Sequence, residues 1–217
     1  SAGWFSATSE NFSVTYGNGL FVTVGLDKTV LTSPDGITWT NKGSSIARRQ
    51  VDIYIDDGPD FREVTYDNGL FVAVGKERAI FTSSDGDSWT LRNFIPWKRD
   101  QVKNLSLNGV TYVNGLFVTV GQYRTILTSP DGINWTKRTS ESKGDLRKIT
   151  YGNGTFVTVG TNGTILTSPD GTTWTERICG CPKNIPKLAK KLNEHERLFL
   201  SKVHLKIGLE EVTYNSM

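Results

Sequence analysis

The sequence is short of the residues that carry most metal and redox chemistry. Its 217 residues include two cysteines, two histidines and one methionine. One residue separates Cys179 from Cys181 and eight separate His195 from His204, whereas zinc sites place two to four between paired cysteines and three to five between paired histidines. No metal site is expected there, and a disulfide between two such close thiols would be strained. Charge of one sign is also missing: 25 Lys and Arg against 22 Asp and Glu leave +3, too little for a dedicated binder of duplex nucleic acid. No run approaches 18 consecutive apolar residues, which excludes a membrane-spanning helix. Ser1-Ala2-Gly3-Trp4 lacks the basic and apolar segments of a leader and does not begin with Met, so the compartment is not legible from this end. Gly-x-Ser-x-Gly and phosphate-cradling loops are absent, and no cofactor is expected.

Internal repetition is what the chain has in abundance. Val-Thr-Tyr starts at Val14, Val64, Val110 and Val212, and Ile149-Thr150-Tyr151 is its variant. Trp39, Trp89, Trp135 and Trp174 each lie 25 residues after such a start. The distance from each Trp to the next start varies, so length variation is confined to one connection per unit. Within the constant part, Asn-Gly at Asn18, Asn68, Asn114 and Asn153 suits a type I′ hairpin between strands a and b. Strand b, Leu20 to Gly25 in the first unit, is rich in β-branched and aromatic residues and ends at glycine each time. A three-residue tip, strand c, a Ser-Pro-Asp-Gly turn and strand d complete the unit.

Four short antiparallel strands per repeat predict a β-propeller blade, because a small sheet with two apolar faces must stack between neighbours. The chain divides into 1–13, an outer strand of a partial blade containing Trp4; 14–63, blade 1 with an acidic loop; 64–109, blade 2; 110–148, blade 3; 149–178, blade 4; 179–211, a helical insertion whose Leu188, Leu192, Phe199 and Val203 have helical spacing; and 212–217, the first strand of the next partial blade. The expectation is therefore an all-β propeller of four complete blades plus a split partial fifth. Its unpaired edges invite association, so an oligomer or a longer parent chain is expected.

Ser33-Pro34-Asp35-Gly36-Ile37-Thr38-Trp39 and its counterparts ending at Trp89, Trp135 and Trp174 resemble the Asp box (BNR) turn of sialidase-type propellers, with one residue fewer between Asp and Gly. The longer repeat is similar to tandem repeats of bacterial surface, secreted and phage structural proteins, and to photosystem II assembly-factor propellers. The resemblance implies that Asp35, Asp85, Asp131 and Asp170 tie each turn to its own backbone, that the four tryptophans wedge between blades, and that a surface or virion setting is favoured.

The a–b and c–d turns are uniform and open on one face, whereas the b–c tips and d–a connections collect the variation on the other. Variable loops on a repeated scaffold usually carry function. The third tip position is basic at Lys28, Arg78 and Arg124, and Arg62 and Arg147 precede the Val-Thr-Tyr starts. With Tyr123 they define a candidate basic ring for carboxylate or phosphate groups. The favoured function is a non-catalytic module that binds a glycan or a protein. The alternatives are a sialidase-like glycoside hydrolase, using Arg78, Arg124, Arg147, Tyr123 and Glu77, and an assembly-factor scaffold. Asp52, Asp56, Asp57 and Asp60 form an acidic loop without the spacing of a calcium loop.

Overall fold

The computed structural model describes residues 10–43, 60–92, 105–140 and 144–177. Residues 1–9 and 212–217 of the expected partial blade and the helical insertion over 179–211 lie outside them, while Asn11 to Ser13, expected in the partial blade, belong to the first strand of blade 1. The described residues form four four-stranded antiparallel sheets in which sequence neighbours pair throughout. Blade 1 comprises β1 (Asn11–Gly17), β2 (Leu20–Gly25), β3 (Val30–Ser33) and β4 (Thr40–Asn41). Blade 2 comprises β5 (Phe61–Asp67), β6 (Leu70–Gly75), β7 (Ile80–Ser83) and β8 (Thr90–Leu91). Blade 3 comprises β9 (Leu107–Val113), β10 (Leu116–Gly121), β11 (Ile126–Ser129) and β12 (Thr136–Arg138), and blade 4 comprises β13 (Leu146–Gly152), β14 (Thr155–Gly160), β15 (Ile165–Ser168) and β16 (Thr175–Glu176). The first strands pack side by side, β1 on β5, β5 on β9 and β9 on β13, so they form the inner wall.

Two details of register differ from the sequence reading. Each inner strand starts three residues before Val-Thr-Tyr or its variant, at Asn11, Phe61, Leu107 and Leu146. Pairing continues upstream because one residue per blade, Phe12, Arg62, Asn108 or Arg147, is bulged out of the ladder. The outer strands, for which the sequence reading expects Ile37 to Thr40 in the first unit, start only after the Trp, because Trp39, Trp89, Trp135 and Trp174 still belong to the closing turn.

The period-two pattern of strand b explains the core. In β6, Phe71 and Ala73 face the preceding blade while Val72 and Val74 face the following one, and all four are fully buried. One apolar layer joins Val22, Val24 and Val30 of blade 1 to Phe61, Val64, Phe71 and Trp89 of blade 2. The next joins Val72, Val74 and Ile80 to Leu107, Phe117 and Trp135, and the third joins Val118, Val120 and Ile126 to Leu146, Phe156 and Trp174. The glycine that ends each strand b has a steric cause: a Cβ at Gly25, Gly75, Gly121 or Gly160 would overlap the carbonyl oxygen of Glu10, Asp60, Ser106 or Asp145.

Each c–d turn closes on itself. In blade 2 the Asp85 carboxylate accepts from the Asp87 and Ser88 N–H groups, both at 2.8 Å, and from Ser83 Oγ at 2.9 Å. Trp89 Nε1 donates to Gly86 O at 3.1 Å, and this indole bond recurs at Trp39, Trp135 and Trp174. The indole thus satisfies its polar atom locally while its rings enter the layer between blades. Truncation of Trp135, 2% exposed, should cost about 3–5 kcal/mol; denaturant unfolding of Trp135→Ala measures this, and a loss below about 1 kcal/mol would contradict an interblade wedge.

The Ser88 N–H, assisted by Asp87 and Ser83 and opposed by burial, holds the Asp85 carboxyl down to about 2 from its ordinary 3.8. A depressed carboxylate stabilises the folded state above its unfolded value, and this contribution disappears as pH falls through the folded value. Stability should therefore drop between about pH 4 and pH 2. Asp85→Asn, which keeps an acceptor but cannot titrate, should show a shallower drop in urea midpoints over that window; parallel profiles for the two proteins would sink this account.

Candidate functional site

The a–b and b–c turns of a blade obey the same geometry and differ in residue choice. A type I′ turn needs positive φ at both central residues, which Asn-Gly meets at least cost. The a–b turns have this pair in all four blades, Asn18-Gly19, Asn68-Gly69, Asn114-Gly115 and Asn153-Gly154, and every one of these residues has positive φ. The b–c tips are also two-residue turns, closed by backbone bonds such as Thr29 N to Leu26 O at 2.9 Å and Thr125 N to Gln122 O at 3.1 Å. Only blade 4 places Asn162-Gly163 there. The other tips hold Asp27-Lys28, Glu77-Arg78 and Tyr123-Arg124 at φ between 51° and 62°. Left-handed backbone costs such residues roughly 1–2 kcal/mol each, so three blades bear a cost that the fourth avoids.

These tips are fastened to the next blade. Asp60 Oδ1 accepts from the Asp27 N–H at 3.2 Å, and Asp145 Oδ1 accepts from the Tyr123 N–H at 2.9 Å. The Asp60 carboxylate also lies 3.7 Å from Lys76 Nζ, so this member of the acidic stretch supports tips rather than a metal. Asp52, Asp56 and Asp57 lie outside the described residues. Among the described residues no group of three His, Cys, Asp or Glu is arranged to hold a metal ion.

The sequence-selected residues occupy two levels of this face. Lys28, Arg78 and Arg124 are the second residues of their tips, with Lys28 and Arg78 half-buried and Arg124 exposed. Tyr123 is 72% exposed. Arg78 leans on blade 3, its Nη2 lying 3.5 Å from Thr125 Oγ1, and loss of hydration lowers its pKa. Arg62 and Arg147 are bulge residues of the inner wall, a position that redirects a side chain out of the regular pleat. The Arg62 guanidinium stands 5.1 Å over the Phe12 ring, whereas Arg147 is exposed.

Sequence reasoning missed the centre of the inner wall. Beside the bulges stand Ser13, Glu63, Gly109 and Lys148. Glu63 takes an ion pair from Lys148, two blades away, and a 3.4 Å hydrogen bond from Ser13 Oγ. Blade 3 contributes no side chain between the paired groups, and a Cβ at Gly109 would lie 3.3 Å from Lys148 Cα. The signal was available once the four repeats were aligned, since opposite charges and a glycine share one register position.

No family model matches the chain, and no curated protein matches it. Solved structures do match. YCF48 from Cyanidioschyzon merolae is 21% identical with a TM-score of 0.57, over 79% of this chain and 58% of that one. YCF48 bound to D1 peptide is 16% identical with a TM-score of 0.54, over 81% and 55%. The extracellular domain of the one component system BT4673 from B. thetaiotaomicron is 12% identical with a TM-score of 0.58, over 80% and 23%. The chain thus spans little more than half of the two YCF48 chains, and its fold is that of a β-propeller.

Replacing Tyr123-Arg124 by Asn-Gly should stabilise the protein by about 1–3 kcal/mol, because the turn then meets its preferred residues. Both side chains are exposed, so little packing is lost. Thermal or urea unfolding of the double variant checks this, and destabilisation would show that the tip residues serve the fold.

Proposed function

We propose that the protein is a non-catalytic, Asp-box-type propeller that binds a carboxylate-bearing peptide segment of a partner protein on its b–c tip face. The carrying observation is the residue choice at the tips: three of four hold Lys, Arg or Tyr in backbone that favours Asn-Gly, while the opposite turns hold Asn-Gly throughout. Strain of this kind is retained where side-chain chemistry is required. Exposed Arg124, Tyr123 and Arg147 supply two guanidinium forks and an aromatic surface, a set suited to acidic peptide. Lys28, Arg62 and Arg78, on blades 1 and 2, are assigned as secondary contacts. The fold shared with YCF48, one of whose structures is bound to D1 peptide, supports a protein partner over a glycan. A glycoside hydrolase has less support, since Tyr123, the nucleophile such a site would use, is 72% exposed.

Each exposed Arg–carboxylate contact contributes only a few tenths to about 1 kcal/mol, so affinity should come from several contacts and weaken with salt. The test is an array of acidic peptides, neutral peptides and carboxylated glycans, probed at low and high ionic strength with wild type and Arg124→Ala/Arg147→Ala. Acidic peptides should be retained at low salt and lose roughly ten-fold or more in affinity in the double variant. Selective retention of glycans, or hydrolysis of a fluorogenic sialoside that stops in Tyr123→Phe, would replace this reading.

A further inference from the structure

We infer that the two outward faces left open by the described blades, one on blade 1 and one on blade 4, pair head to tail between two copies of this chain. Every internal junction buries the same set of positions, and the terminal blades leave their halves of that set exposed. On the outward face of blade 1, Val14 is 61% exposed and Tyr16 58%, whereas Val64 and Val110 are 4% and 6% exposed at the equivalent inner-strand place. Trp39 is 37% exposed, against 5%, 2% and 8% for Trp89, Trp135 and Trp174. At the other end Val159 of blade 4 is 44% exposed, while Val24, Val74 and Val120, its equivalents, are fully buried. The lost burial is apolar, so water contact there is unfavourable.

One detail selects a copy of blade 1 as the occupant. At the junction of blades 1 and 2, the Tyr66 ring lies on Gly17, whose missing side chain makes the seat. Blades 2 and 3 have Asp67 and Val113 at that position. Blade 4 alone repeats the glycine, as Gly152, and among the described residues nothing lies within 4 Å of where its Cβ would be. The exposed Tyr16 of blade 1 is the aromatic that belongs on such a seat. One chain presents both the ring and its empty seat, on opposite faces, so two chains can satisfy both at once. The described blades of the two chains would then make a closed ring of eight, within the four to eight that propellers use, with two identical junctions related by a twofold axis.

The experiment uses the whole chain with Cys179→Ser and Cys181→Ser. Light scattering after gel filtration should give twice the 24.1 kDa of one chain. Gly152→Leu fills the seat in backbone that accepts any residue, so tryptophan fluorescence should keep its blade-packed signature while the dimer is lost. Adding Tyr16→Cys with Gly152→Cys and a short bismaleimide should yield a covalent dimer on a denaturing gel. A 24.1 kDa particle, association of indefinite length, a crosslink within one chain, or a dimer indifferent to Gly152→Leu would each overturn the inference.

Discussion

The structure depends on the burial of strand b from both sides. A sheet of four short strands has too little area to protect itself, and a strand reading Leu-Phe-Val-Ala-Val-Gly carries apolar groups on both pleat faces. Such a strand is stable only between two further sheets. The demand propagates around the array and fixes much else: small residues where backbones approach, aromatic wedges at the turns, and repetition of the whole unit, because each junction must match the next.

Division of labour between the two ends of a blade follows from this. The c–d turns satisfy their hydrogen bonds internally and send one ring into the layer, so they are saturated by the fold. The b–c tips are held by their neighbours' backbone and carboxylates, and Tyr123 and Arg124 on the blade 3 tip keep exposed side chains. Local closure on one face and external support on the other make the second the place where chemistry can vary without disturbing the blades.

Much of this was legible in the amino-acid sequence because it is repeated. The four Asn-Gly pairs, the terminal glycine of strand b and the constant spacing to Trp each recur, and recurrence turns weak turn signals into a register. What was not legible is whatever breaks the repeat or joins distant copies of it. The bulge at Arg62 and Arg147 leaves no local mark, since any residue can occupy the extra position. The pairing of Glu63 with Lys148 spans 85 residues and depends on the curvature of the inner wall. The tip backbone was hidden for another reason: Glu-Arg and Tyr-Arg do not announce positive φ, and only the hairpin geometry forces it.

The anchoring of the tips by Asp60 and Asp145 has a consequence for recognition. A free surface loop must surrender its conformational entropy when a ligand arrives, and that loss subtracts from every contact formed. Here the ordering is already complete, because a carboxylate on one blade holds the turn of the blade before it. A partner meeting this rim encounters a stiff row of side chains in fixed backbone, where even weak polar contacts count nearly in full. The spacing between tips is set by the blades themselves, so a rim that binds as proposed would favour partners whose charges repeat at the pitch of the propeller.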